Sequence, residues 1–394
     1  VTQTRPLSEI GTVLLVSSLT SFGSFFGSIG AFLALEGHFG EISHLGIALS
    51  LKTLACIVVS WLAPAALEKV SIKSSFLIAE IIGLASTAIL LIGFEAGLFA
   101  VVLSGIALSC VPLVVGNLLL RSCLRTMTGS EDAFRRHSGV QTIAIGLAFA
   151  IASTVVPFIL REDGVSFVLA IDALSYVVSI GCFLLMRFPG LPKLGRKSSG
   201  LTTLREVWAT KQARAFMCNW LIFGSLVALI PILASHETDL TKDLPLIIRQ
   251  NLWAIEGVTL SLSGFIYAWS KAEKSLVLKA LTFCSAVWLC LAIYMPPFLQ
   301  VGLILLFGIA SKYAVIKMSN DFILGAENCA RSALAHASFG SVANHVTATI
   351  SPIILVQVIE WNSMTGFLLV ILAIEFLWFT FTHVRLGDAA PKSA

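Results

Sequence analysis

The feature that most constrains this chain is the length and spacing of its apolar runs. Twelve mostly apolar stretches follow one another: 10–35, 44–66, 73–93, 96–120, 138–160, 165–188, 213–234, 246–270, 276–294, 297–320, 334–358 and 362–384. A helix needs about 20 apolar residues to cross a bilayer, whereas a barrel strand needs about 10 in alternation. These runs are too long and too uniformly apolar for strands. The sequence therefore predicts an all-α integral membrane protein with twelve transmembrane helices. Only 12% of the 394 residues are charged, against about 25% in a soluble domain, so lipid must replace water as solvent for much of the surface. The first run is too long for the core of a secretory signal and ends without a small-x-small cleavage pattern, so it is expected to be a span.

The basic residues orient these runs. With the N-terminus in the cytoplasm, 22 of the 26 Lys and Arg fall at cytoplasmic ends. Among them are Lys69, Lys73, Arg121, Arg125, Arg135 and Arg136, the cluster from Arg187 to Arg214, and Lys312 and Lys317 near the end of the tenth run. Only Arg161, Lys242 and Arg249 face the other side, and Lys52 lies within the second run. Such a bias is the positive-inside rule at work. It predicts a bacterial-type inner membrane protein with both termini cytoplasmic.

The longest hydrophilic connection divides the chain into a six-helix bundle at 1–188, a basic cytoplasmic linker at 189–212 and a second six-helix bundle at 213–394. The two halves carry matching segments. Gly129-Ser-Glu131-Asp132-Ala-Phe-Arg135 aligns with Gly325-Ala-Glu327-Asn328-Cys-Ala-Arg331 at an offset of 196, and Pro157-Phe-Ile-Leu160 with Pro352-Ile-Ile-Leu355 at 195. Both matches fall at equivalent places in their halves, which points to a duplicated unit around a central path.

Other classes of function find no support. A net charge of +4, scattered along the chain, does not suit a nucleic-acid partner. The eight cysteines include no C-x-x-C pair and are read as inert thiols. There is no phosphate-binding G-x-x-x-x-G-K-[ST] loop, no expected cofactor and no nucleophile–base arrangement. His38, Glu41 and His44 could meet a metal, but a solvated loop accounts for them and no metal site is expected. The predicted partners are a small-molecule substrate, protons and lipid, with the chain acting as a monomer.

Four stretches resemble the major facilitator superfamily, in particular its drug:proton antiporter branch of macrolide-efflux proteins and enterobactin (siderophore) exporters. They are Leu45-Gly-Ile-Ala-Leu-Ser-Leu-Lys52-Thr53, Pro64-Ala-Ala-Leu-Glu68-Lys69-Val-Ser-Ile-Lys73, Asn117-Leu-Leu-Leu-Arg121-Ser and Ile171-Asp172-Ala-Leu-Ser175-Tyr176. The resemblance implies two pseudo-symmetric six-helix bundles, alternating access and proton-coupled efflux. It also implies that Lys52 faces the cavity and that Arg121 serves gating or coupling. The departures are specific. Glu68 stands for the loop's Asp, Pro64 for its leading Gly and Ile72 for an Arg, and the fifth span keeps only Val156-Pro157 of Gly-Pro-x-x-Gly-Gly. A facilitator or another coupling ion therefore stays open.

An ionisable side chain at mid-bilayer costs about 2.5–3.5 kcal/mol on insertion scales, so each one is weighed singly. Glu256 is either a proton carrier or half of a structural ion pair, with Lys312 as its partner. Lys312 is otherwise a substrate anchor or a residue reaching toward the cytoplasm. His345, beside Asn344, either shuttles protons and meets substrate or packs helices. The loop residues Glu68, Lys69 and Lys73 form a possible conformational latch. Asp172 and Ser175 are expected to brace helices, as are the serines and glycines of the first span. Glu80 and Glu375 lie on helices peripheral in this fold and are expected to stay off the path. The sequence thus predicts a proton-coupled exporter of a small amphipathic, possibly anionic metabolite. The alternatives are a facilitator or importer of a peptide, sugar or metal ion, and a non-transporting accessory or sensor subunit.

Overall fold

The computed structural model describes residues 7–39, 42–67, 70–128, 130–162, 164–185, 200–214, 216–217, 220, 252–269, 296–325 and 330–361. Among them every regular element is a helix: α1 (Leu7–Phe39), α2 (Ile42–Leu67), α3 (Ile72–Glu95), α4 (Phe99–Leu108), α5 (Cys110–Met127), α6 (Glu131–Glu162), α7 (Gly164–Leu185), α8 (Gly200–Ala209), α9 (Leu252–Trp269), α10 (Pro297–Leu324) and α11 (Ala330–Trp361). Seven helical stretches among the described residues are long and apolar enough to cross a membrane. The seventh, ninth and twelfth predicted spans lie wholly or largely outside the described residues.

Local sequence explains where the elements begin and end. Pro112 has no N–H to give to the carbonyl one turn earlier, and the fourth span breaks just there, at Ser109, into α4 and α5. At the end of α3, Gly97 takes φ +64, which lets the Leu98 N–H return to Gly93 O at 2.9 Å and turns the chain into α4. The Ser71 hydroxyl caps α3 by accepting from the Ser74 N–H. Large apolar side chains such as Leu15, Phe158, Leu174 and Leu185 face outward, as a lipid-facing surface requires.

The first half is held by an antiparallel ladder between α1 and α7. Thr20 meets Ser179 at 2.9 Å and Ser24 meets Tyr176 at 2.9 Å. Further along, Gly23 lies against Ser175, Gly27 against the Asp172 carboxyl and Gly30 against Val168. A side chain at Gly27 would collide with Asp172; only the bare backbone allows this approach.

Two helix pairs join the halves. Along α6 and α9, Gly146 rests on Gly257 and Ser261, and Gly139 on Gly264 and Ala268. Each helix carries its glycines seven residues apart, so one bare face repeats every two turns. Between α2 and α11, serines replace glycines. Ser60 and Ser341 hydroxyls lie 2.8 Å apart, and Ser338 donates to the Ser60 carbonyl.

Part of the linker at 189–212 is helical, as the amphipathic α8. It buries Leu204 and Val207 with Phe322, Ala335 and Phe339 and contacts both α2 and α11. The signal was in the sequence, since Leu201, Leu204 and Val207–Trp208 repeat at helical spacing.

Candidate functional site

The charged groups within the helices sort into three sets. The first surrounds Lys52, on the eleventh residue of α2. Its ammonium donates to the Ser28 hydroxyl of α1 at 3.1 Å and sits 4.9 Å from the centre of the Phe32 ring. Among the described residues no carboxylate lies within ion-pair distance of it. His345 of α11 is half-buried and near enough to feel the Lys52 charge. Asn344 beside it is exposed. Lys52 and His345 thus come from opposite halves of the chain, and the Lys52 ammonium makes this region electropositive.

The second set lies in the second half. Lys312 donates to Glu256 Oε1 at 2.7 Å. Lys312 is 5% exposed, and it occupies the middle of α10 rather than an end. Its place among the cytoplasmic charges is therefore corrected: the helix runs on to Leu324, and an ion pair, not solvent, accommodates the ammonium. Taking two charges out of water costs several kcal/mol each, which short, well-directed pairing offsets. Beside this pair, the Ser263 hydroxyl donates to Ile309 O and fixes α9 against α10.

The third set closes the basic end of the bundle. Arg121 of α5 donates to the Ser319 hydroxyl of α10 at 2.5 Å and, through Nε, to its own helix at Asn117. Arg125 reaches Leu324 O at 3.3 Å, and Ser138 of α6 donates to Asn320 at 3.1 Å. These contacts tie the two halves together at the ends that the charge bias assigns to the cytoplasm. Lys73 does something else: it donates to Leu184 O of α7 at 3.0 Å, a bond within the first half. Its supposed latch partners Glu68 and Lys69 lie outside the described residues.

Glu80, expected to stay off the path, is buried to 4% exposure, with both carboxyl oxygens 3.2 Å from the Thr20 hydroxyl. Asp172 is buried as well, 2.8 Å from the Thr87 hydroxyl. Sequence reasoning missed this cluster because its members come from three helices and are joined by hydroxyls rather than by charge.

No protein-family model matches the chain, and no curated protein matches it either. Solved structures do. The Escherichia coli fucose:proton symporter FucP, in a single-substitution form, aligns with TM-score 0.72 at 14% identity, covering 96% of this chain and 98% of the symporter. The human organic anion transporter MFSD10 aligns with TM-score 0.70 at 14% identity over 95% and 99%. The proton:xylose symporter XylE aligns with TM-score 0.69 at 13% identity over 94% of each chain. At these identities the likeness defines the fold: the chain is an integral membrane protein with the twelve-helix, two-bundle fold of the major facilitator superfamily.

Proposed function

We propose that this chain is a secondary-active transporter of a small amphipathic organic anion, working by alternating access with the proton as coupling ion. One observation carries the reading: Lys52 is an intramembrane cation without a carboxylate partner among the described residues. An unpaired charge in the bilayer is costly and is retained where it meets a charged ligand. A carboxylate or similar group on the solute would complete Lys52, and Phe32 would cover part of an apolar body. His345 adds a second donor from the opposite half, so a solute bound between them would touch both bundles. The resemblance to siderophore and drug exporters fits a solute of this kind, and so does the likeness to an organic anion transporter.

The second charge set suggests how a proton joins the solute. Protonating Glu256 would release Lys312, adding a cation for the anion to meet. Proton and anion would then strengthen each other's binding, because coupling free energy is reciprocal. That arrangement favours cotransport over the proton exchange implied by the antiporter resemblance, and it leaves export as the second reading. Proteoliposomes decide between them. With a pH gradient imposed and a panel of labelled amphipathic carboxylates, cotransport accumulates the anion on the alkaline side and exchange on the acidic side. A panel that shows no pH-driven movement in either direction would sink the proton-coupled reading.

A further inference from the structure

We propose that Glu80 and Asp172 form a proton-binding site inside the first bundle, separate from the Glu256–Lys312 pair, in which both carboxyls are held as neutral acids in this conformation. The proposal rests on the proton-coupled reading for its role in transport, but its evidence is independent of it.

The cluster holds fewer hydroxyl hydrogens than its contacts require. Thr87 has one hydroxyl hydrogen, yet its oxygen lies within hydrogen-bonding distance of two acceptors, Gly83 O at 3.1 Å and Asp172 Oδ2 at 2.8 Å. If Asp172 is ionised, the two acceptors must share that one hydrogen, which weakens both bonds. If Asp172 is protonated, Thr87 donates to Gly83 O and accepts from the acid, and both are bonds. At Thr20 a single hydrogen faces both Val16 O and Glu80, while Ser179, 2.9 Å away, brings a hydrogen of its own. A proton on Glu80 supplies one further donor, so that Thr20 can bond Val16 O and accept from the acid.

The surroundings point the same way. Asp172 is 5% exposed, and its second oxygen, Oδ1, has no hydrogen-bond partner among the described residues. An ionised carboxylate needs several donors when buried; a neutral acid tolerates one bare carbonyl oxygen. The facing groups offer no countercharge. From α1 come Thr20, Ser24 and the bare face of Gly23 and Gly27. From α3 come Glu80 itself and Thr87, and from α7 come Tyr176 and Ser179. A cation whose charge reaches Asp172 is Lys52, which donates to Ser28, the neighbour of Gly27 on α1.

That adjacency gives the site its function. Gly27 carries the Asp172 carboxyl against its backbone, and the next residue holds Lys52. With the acid neutral, the Lys52 charge is left for the solute's anion; with the proton lost, Asp172 draws on the same charge. The N-terminal cluster would therefore hold a proton of its own, beside any taken up by Glu256, while the solute is bound.

Infrared spectroscopy of the purified protein in lipid at neutral pH tests this without a substrate. The C=O stretching band of protonated carboxylic acid should lose one component in Asp172→Asn and another in Glu80→Gln. Thr87→Val keeps both carboxyls and should shift the Asp172 component in frequency, which maintains the test if an acid variant fails to fold. A wild-type spectrum without such a band, or one unchanged by all three substitutions, overturns the proposal. The outcome is distinguishable from failure of the transport reading. Acid bands in a protein that moves no anion with protons would keep the site and remove its role.

Discussion

The two halves of this molecule accommodate buried charge in opposite ways. In the second half Lys312 and Glu256 meet at 2.7 Å, and the charges cancel locally. In the first half a cation, Lys52, and two carboxyls, Glu80 and Asp172, come near one another without forming a salt bridge among the described residues. Hydroxyls, an aromatic face and bare backbone take the place of countercharge there. A closed pair resists change, because breaking it strands an ion. An open set can exchange its ligands, and on the proposed reading it is the set that meets the solute first, while the paired set is a lock that protonation of Glu256 would release.

The comparison can be broken most forcefully at the lock. Lys312→Met leaves Glu256 without its cation, and Glu256→Gln leaves Lys312 charged and alone; removing one partner of a buried pair costs about 3–5 kcal/mol. The double variant Lys312→Met, Glu256→Met should recover most of that loss, as thermal unfolding in detergent with a double-mutant cycle would reveal. Additive losses would show that the two side chains act separately. Next in size is the contact between the halves. Gly146→Val inserts a side chain where Gly257 backbone already sits, and such overpacking costs about 1–3 kcal/mol. The matching change Ser341→Val on the serine-lined α11 should cost less, since that interface already accommodates side chains. Smaller still is the effect at the basic end: Arg121→Ala removes the bond to Ser319 but leaves the Arg125–Leu324 and Ser138–Asn320 contacts between the halves in place. It should show as faster cysteine labelling at the basic end, with little change in melting temperature. An unaltered labelling rate would mean that Arg121 does not hold the halves together.

How much of this could be read beforehand depended on where the information lay. The apolar spans stand out by their length, and the candidate charges Lys52, Glu256 and Lys312 because an ion in an apolar run is conspicuous. The pairing of Lys312 was weighed, but its depth was misjudged, since the tenth helix continues four residues past the apolar run to Leu324. The Glu80–Asp172 cluster was invisible for another reason. Thr20 and Ser179 are 159 residues apart, and a threonine in a helix gives no sign of whether it bonds its own backbone or a neighbour's carboxyl. Ser18 and Ser21 illustrate the ordinary outcome, each donating to the carbonyl one turn earlier. Helix α8 was overlooked because its basic flanks dominated the reading of the linker.

The central claim is that Lys52, and not the paired Lys312, receives the anion. The most direct measurement is thermal stabilisation of the purified protein by a panel of amphipathic carboxylates, compared between wild type, Lys52→Gln and the double variant Lys312→Met, Glu256→Met. A ligand at 100 times its Kd stabilises by about 2.7 kcal/mol, which is easily seen. The account predicts a shift in the wild type, its loss in Lys52→Gln and its survival in the double variant. A shift that persists in Lys52→Gln, or one abolished only in the double variant, would contradict it.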